Sequence, residues 1–118
     1  MGVNHLGYTY GSIGDLLDTY DRLKGVGVLP YWPVHHGTTL SLYYKDPDGN
    51  RLELQVDCGT VEEANAFMAG DAFAANPIGI SFDREELLKA YRAGASPETL
   101  IRRPNAPISP IPLEHGLT

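Results

Sequence analysis

Two alternating segments flank five consecutive turn formers: "TTLSLYYK" at 38–45, "DPDGN" at 46–50 and "RLELQVD" at 51–57. Proline presets its backbone for a turn, glycine tolerates the left-handed region, and Asp and Asn side chains bond their own backbone. Side chains alternate faces along a strand, so the two segments read as an antiparallel hairpin with unlike faces. One face carries Leu40, Leu42 and Tyr44 with Leu52, Leu54 and Val56; the other carries Thr39, Ser41 and Tyr43 with Arg51, Glu53, Gln55 and Asp57. A lone hairpin is barely stable in water, so the apolar face must be covered by another part of the chain. Acidic residues are poor strand formers, so Glu53 in mid-strand asks for a reason.

The cover lies upstream. Ser12 is a good N-cap with Asp15 three residues later, and Ile13, Leu16, Leu17, Tyr20 and Leu23 recur at helical spacing until Gly25 and Gly27 end the pattern. Before this helix, "VNHLGYTY" (3–10) reads as a strand with His5, Gly7 and Thr9 on one face and Leu6, Tyr8 and Tyr10 on the other. After it, "VLPYWPVHHG" is extended but holds Pro30 and Pro33, which predicts an edge strand or an irregular approach to one. The order to Asp57 is βαβββ. The expected fold class is therefore α+β: a single βαβββ module with a half-barrel sheet and C-terminal helices.

Downstream, Thr60 and Glu63 form a capping-box pattern for a helix to about Ala69, and "NPIGISF" reads as a connector. Asp83 with Glu86 caps a helix to about Gly94, and Ser96-Pro97-Glu98 starts one further turn. From Pro104 the chain is proline-rich, as expected of a tail lying on a surface or partly disordered. The expected organisation is a βαβββ module over 1–58, a helical extension over 59–103 and the tail over 104–118, with the helices and tail covering the open face of the sheet or an interface.

Composition limits the function classes. Lys and Arg number 9 against 15 Asp and Glu, a net charge of -6 that argues against nucleic acid as a partner. No apolar run has the length of a membrane span and no leader pattern opens the chain, so a cytoplasmic protein without a membrane partner is the expectation. The single cysteine, Cys58, has no Cys partner and reads as a half-buried apolar filler.

The second face of the sheet carries His5, Ser41, Tyr43 and Glu53, with Gly7 leaving room beside His5. Each alone has a plainer explanation as a solvated outward residue. The acidic turn at 46–50 invites a calcium reading, but it lacks the spaced acidic pattern and the closing Glu of such loops. His35-His36 alone reads as a polar loop.

Taken together, the βαβββ order, "VNHLGYTY", "HHGTTLSLYYKDPDGNRLELQVD" and "NPIGISFD" resemble the last module of an extradiol ring-cleavage dioxygenase. That family belongs to the vicinal oxygen chelate (glyoxalase/bleomycin resistance/dioxygenase) superfamily. The resemblance runs from residue 2 to about 103 and is most specific from His36 to Asp57. It implies a metal site with His5 and Glu53 as ligands. A further His from a preceding module completes a 2-His-1-carboxylate set for Fe(II), with Mn(II) or another divalent metal as the other choices. It also implies a catechol-like aromatic substrate, O2 as co-substrate, His36 as acid/base group and Tyr43 as hydrogen-bond donor, with His35 the other candidate for the place of His36.

Such enzymes pair modules, and the resemblance covers one. The expectation is a homodimer, or a partner carrying the missing module, because an unpaired first strand invites pairing. Two other functions fit the same likeness: a non-catalytic dimer of the bleomycin-resistance type that sequesters a small ligand, and a glyoxalase-like metal lyase or isomerase with four ligands from two chains.

Overall fold

The computed structural model describes residues 5–75, 78–102 and 108–112. Its elements run β1 (His5–Tyr10), α1 (Ile13–Gly25), β2 (Trp32–His35), β3 (Thr39–Lys45), β4 (Arg51–Asp57), α2 (Val61–Met68), α3 (Asp71–Ala75), β5 (Ile80–Ser81), α4 (Arg84–Arg92) and α5 (Pro97–Leu100). They form a mixed α+β fold around one five-stranded sheet of order β1-β4-β3-β2-β5. The βαβββ order is present from β1 to β4. The first two residues of the strand expected from Val3, and most of the proline-rich tail, lie outside the described residues.

The hairpin pairs as its alternation requires. Leu42 faces Leu54 and Tyr43 faces Glu53 across the β3–β4 ladder. Asp46 organises the turn, its carboxylate accepting from the backbone N–H groups of Asp48 and Asn50 at 2.9 and 2.8 Å. These hydrogen bonds hold the Asp46 carboxyl below its ordinary range, with the Asn50 side chain the largest cause. The carboxylate is thus engaged within its own turn.

Helix α1 starts where its cap predicts, with Ser12 Oγ accepting from the Asp15 N–H at 3.1 Å. Its apolar stripe packs on the back of the sheet, and Ile13, Leu16, Leu17 and Tyr20 form one core with Leu40, Leu42, Tyr44 and Val56. Each fully buried Leu in such a core contributes about 1.5–3 kcal/mol. Helices α4 and α5 add Leu88 and Leu100 to this same core. Of the two places expected for these helices, the open face of the sheet or an interface, the first is not where they lie: their apolar residues pack beside α1. Tyr20 and Lys24 of α1 both bond Glu85 of α4, while Arg92 pairs with Asp21.

Two elements depart from the sequence expectation. Residues 80–81, expected within a connector, form β5 and pair antiparallel with β2. As a result β2, expected at an edge, is flanked on both sides at Val34 and His35, while Pro33 pairs with Leu42 of β3 and lies outside the two-residue β5 ladder. Residues 71–75 form the short helix α3 directly after α2.

Burial also sets an alkaline limit on the fold. The Tyr20 phenol is pushed up to about 12, first by burial and then by Glu85, and burial raises Tyr44 as well. The folded values lie above the unfolded value of about 10, so this stability is present below pH 10 and is lost as pH rises through the folded values. Phenolate absorbance is expected to lag behind the full complement of 7 tyrosines until the chain unfolds. Complete ionisation near pH 10 with the fold intact would contradict it.

Candidate metal and acid–base site

The sheet's front face, opposite α1, gathers the polar residues. β1 runs parallel to β4 with Gly7 opposite Glu53 and His5 opposite Arg51, so positions 5, 7 and 9 share a face with Arg51, Glu53 and Gln55. A hydrogen bond of 3.1 Å from Gln55 Nε2 to Thr9 Oγ1 lies across the same face. Position 5 of β1 thus shares a side of the sheet with position 53 of β4, two residues apart in register. A Cβ added to Gly7 would meet nothing within 4 Å, which leaves the front beside Glu53 open.

Glu53 is half-buried and held. Ser41, fully buried on β3, donates its hydroxyl to Glu53 Oε2 at 2.8 Å. Tyr43, directly opposite Glu53 in the ladder, is driven far above the ordinary phenol range. Burial is the main cause, followed by the charge of Glu53 and a hydrogen bond to it. Tyr43 therefore stays a protonated donor.

The two adjacent histidines separate by function because neighbouring residues face opposite ways. His35 is 2% exposed and points to the back of the sheet. Its Nδ1 accepts from the Gly37 N–H at 3.0 Å, so Nε2 carries the proton and donates to the Ile101 carbonyl at 2.6 Å. Both nitrogens of His35 are spent on structure. His36 instead faces the front: Nδ1 lies 2.8 Å from the Ile78 carbonyl, which only accepts, so that nitrogen carries a proton. Its Nε2 lies 3.2 Å from the Tyr43 hydroxyl. Geometry thus brings His36, Tyr43, Glu53 and Ser41 into one connected chain, with position 5 on the same face.

Trp32, expected from its place near the edge to line a pocket together with Tyr31 and Tyr43, is a wall of this site. Its ring stacks on Tyr43 at 5.2 Å and meets His36 edge-on at 6.4 Å. With Val34 and Tyr43, and with Tyr31 and Ile78 alongside, it forms a second, smaller core on the front face. Pro33 within β2 and Pro30 just before it obscure the period of this strand in the sequence.

The donor types suit a hard divalent ion: a carboxylate fixed by a buried hydroxyl, an imidazole position on the same face, and open space beside them. Among the described residues, no group of three or more His, Cys, Asp or Glu side chains is gathered. Filling the space should matter. Gly7→Val is expected to leave folding intact, since valine suits a strand, and to lower metal affinity by blocking the notch. A titration with Mn(II) checks this; unchanged affinity would place the ion elsewhere.

The mixed α+β topology is consistent with one vicinal-oxygen-chelate module. Known proteins agree. Over 94 residues, 79% of the chain, the sequence is 49% identical to biphenyl-2,3-diol 1,2-dioxygenase 2 of Rhodococcus globerulus. Over 104 residues, 87% of the chain, it is 43% identical to biphenyl-2,3-diol 1,2-dioxygenase 3 of the same organism. These stretches make up 50% and 55% of the two relatives, so the chain spans about half the length of the curated proteins it matches. No family model and no solved structure matches it. The chain is a homologue of part of the extradiol dioxygenases of the vicinal oxygen chelate superfamily. Among the described residues no helix is long and apolar enough to cross a membrane.

Proposed function

We propose that the chain is one half of an extradiol-type dioxygenase, acting in the cytoplasm on a catechol-like aromatic diol with O2. His5 and Glu53 are its metal ligands, for Fe(II) first and Mn(II) or another divalent ion second. The observation that carries the reading is the continuous contact from Glu53 through Tyr43 to His36 on one face of the sheet. The names of the two relatives support the same chemistry.

A bound ion would supply Lewis-acid chelation of two vicinal hydroxyl oxygens and a place for O2 beside them. The chain's residues do the rest. Ser41 orients the Glu53 carboxylate. His36, anchored through Nδ1, presents the lone pair of Nε2 to the front, where it takes a proton from a substrate hydroxyl and later returns it. The single proton of Tyr43 faces two acceptors, His36 Nε2 and Glu53. Once His36 gains its proton, Nε2 becomes a donor and the Tyr43 proton turns to Glu53 or to an oxygen in the site. Trp32 excludes water from behind Tyr43.

A second copy, or a partner with the missing module, supplies the remaining ligands. β1 ends the sheet, and its Leu6 and Tyr8 are 67% and 60% exposed, apolar surface of the kind that an interface covers. The test is to load the protein with Fe(II) without oxygen, then add biphenyl-2,3-diol and air. Oxygen uptake with a yellow ring-opened product supports the reading. Tight ligand binding with no metal requirement would indicate a sequestering dimer instead. Turnover with nickel or zinc and no oxygen uptake would indicate glyoxalase-type chemistry.

A further inference from the structure

The C-terminal segment at 108–112 sits on the front face, and Ser109 is its anchor. Ser109 is 3% exposed, although Ile108 and Ile111 beside it are 49% and 52% exposed. Its backbone N–H donates to the Gly79 carbonyl at 2.9 Å. Its hydroxyl donates to the Pro110 carbonyl at 2.9 Å and accepts from Trp32 Nε1–H at 3.0 Å. With that proton used, the 2.6 Å contact to Ser81 has Ser81 donating. A serine oxygen has one proton and two lone pairs, and here all three are taken.

Both ends of this junction lead to the site. Through Trp32 it reaches the ring stacked on Tyr43. Through Gly79 it grips the residue next to Ile78, whose carbonyl holds His36 Nδ1. The grip is tight: Gly79 has φ +119, and a Cβ there would lie 2.7 Å from the His35 carbonyl oxygen and 3.2 Å from the His36 Cα. Only glycine fits this approach.

The geometry points to Ser109 as a positioning residue: the segment 108–112 is a strap that fixes Tyr43 through Trp32 and His36 through Ile78. This deepens the proposed dioxygenase reading and rests on its roles for His36 and Tyr43. The strap is joined to the site by hydrogen bonds of 2.6–3.0 Å and by ring stacking, so its release acts on orientation rather than on ligand atoms.

Trp32 is the one tryptophan in the chain, so its fluorescence reads this contact alone. In the metal-free chain, Ser109→Ala is expected to shift Trp32 emission to the red. It should also move the His36 ring signals in nitrogen-edited NMR, while the His35 signals stay in place. Ser109→Thr, which keeps the hydroxyl, should restore both. In protein active on biphenyl-2,3-diol, Ser109→Ala should lower kcat roughly tenfold with KM little changed, a fraction of what a positioned acid–base group supplies. Unchanged Trp32 emission and His36 signals in Ser109→Ala would overturn the strap, whatever the activity. Shifted signals in a protein that never consumes oxygen would keep the strap and reject the dioxygenase reading.

Discussion

Glu53→Gln is expected to lower affinity for Fe(II) or Mn(II) by at least about 100-fold, more than loss of a supporting outer partner costs, and to leave the fold in place. Glutamine is nearly the same shape, and its carbonyl oxygen still accepts from Ser41, so the buried hydroxyl keeps its partner. The apolar residues that hold the sheet to α1 lie on the other face, and none of them contacts the substituted group. The melting temperature should therefore move by no more than a few degrees, which corresponds to about 1 kcal/mol or less in a domain of this size. Isothermal titration with Mn(II) beside a thermal melt checks both halves. An unfolded variant would make Glu53 structural, and a folded variant with undiminished affinity would remove it from the metal site.

Leu16→Ala is expected to do the converse. Leu16 has no exposed surface and sits at the centre of the core between α1, the back of the sheet and the last two helices. Truncating such a leucine removes its transfer energy and leaves a cavity, for a loss of about 3–5 kcal/mol. Against the 5–15 kcal/mol that holds a typical domain together, this is a large share and corresponds to roughly 10–20 °C in melting temperature. The folded fraction should still bind the ion as the parent does, because Leu16 touches nothing on the front face. Denaturant unfolding measures the loss. A cost below about 1 kcal/mol would mean that the core closes differently around α1.

These two substitutions divide the molecule along the plane of its sheet, and that division was legible in the sequence. Period-two alternation over 38–57 assigns every side chain of β3 and β4 to a face, and the turn chemistry of Asp46 to Asn50 sets the register between them. The Ser12 cap and the stripe from Ile13 to Leu23 place α1 with equal economy. Thr60, Asp83 and Ser96 each cap the helix expected of them. Their physics is local, carried by a few residues in a row.

What escaped depends on contacts between distant residues. β5 is two residues long and shows no period of its own; it exists because β2 offers it a ladder. Helices α4 and α5 have apolar stripes that suit any greasy surface, and only the packed structure shows that α1 and the back of the sheet receive them. His35 and His36 are adjacent and alike in sequence. The register of a strand interrupted by Pro33 decides which of them turns inward to the Ile101 carbonyl and which meets Tyr43. Ser109 is one polar residue in a proline-rich run, and its partners Trp32, Ser81 and Gly79 come from elsewhere in the chain. At the site itself, the carboxylate on Glu53 stood out because it violates strand preference, and Ser41 was placed on the same face, but only the packed structure shows that its hydroxyl holds that carboxylate.

The central claim is that a divalent ion binds the front of the sheet between the positions of His5 and Glu53. Paramagnetic broadening of backbone amide signals by substoichiometric Mn(II) tests this directly, because the effect falls steeply with distance from the ion. The account predicts that signals of Gly7, Ser41, Tyr43 and Glu53 vanish first, that those of α4 persist, and that Glu53→Gln abolishes the pattern. Broadening centred on the acidic turn at Asp46 and Asp48, or spread evenly over the surface carboxylates, would contradict it.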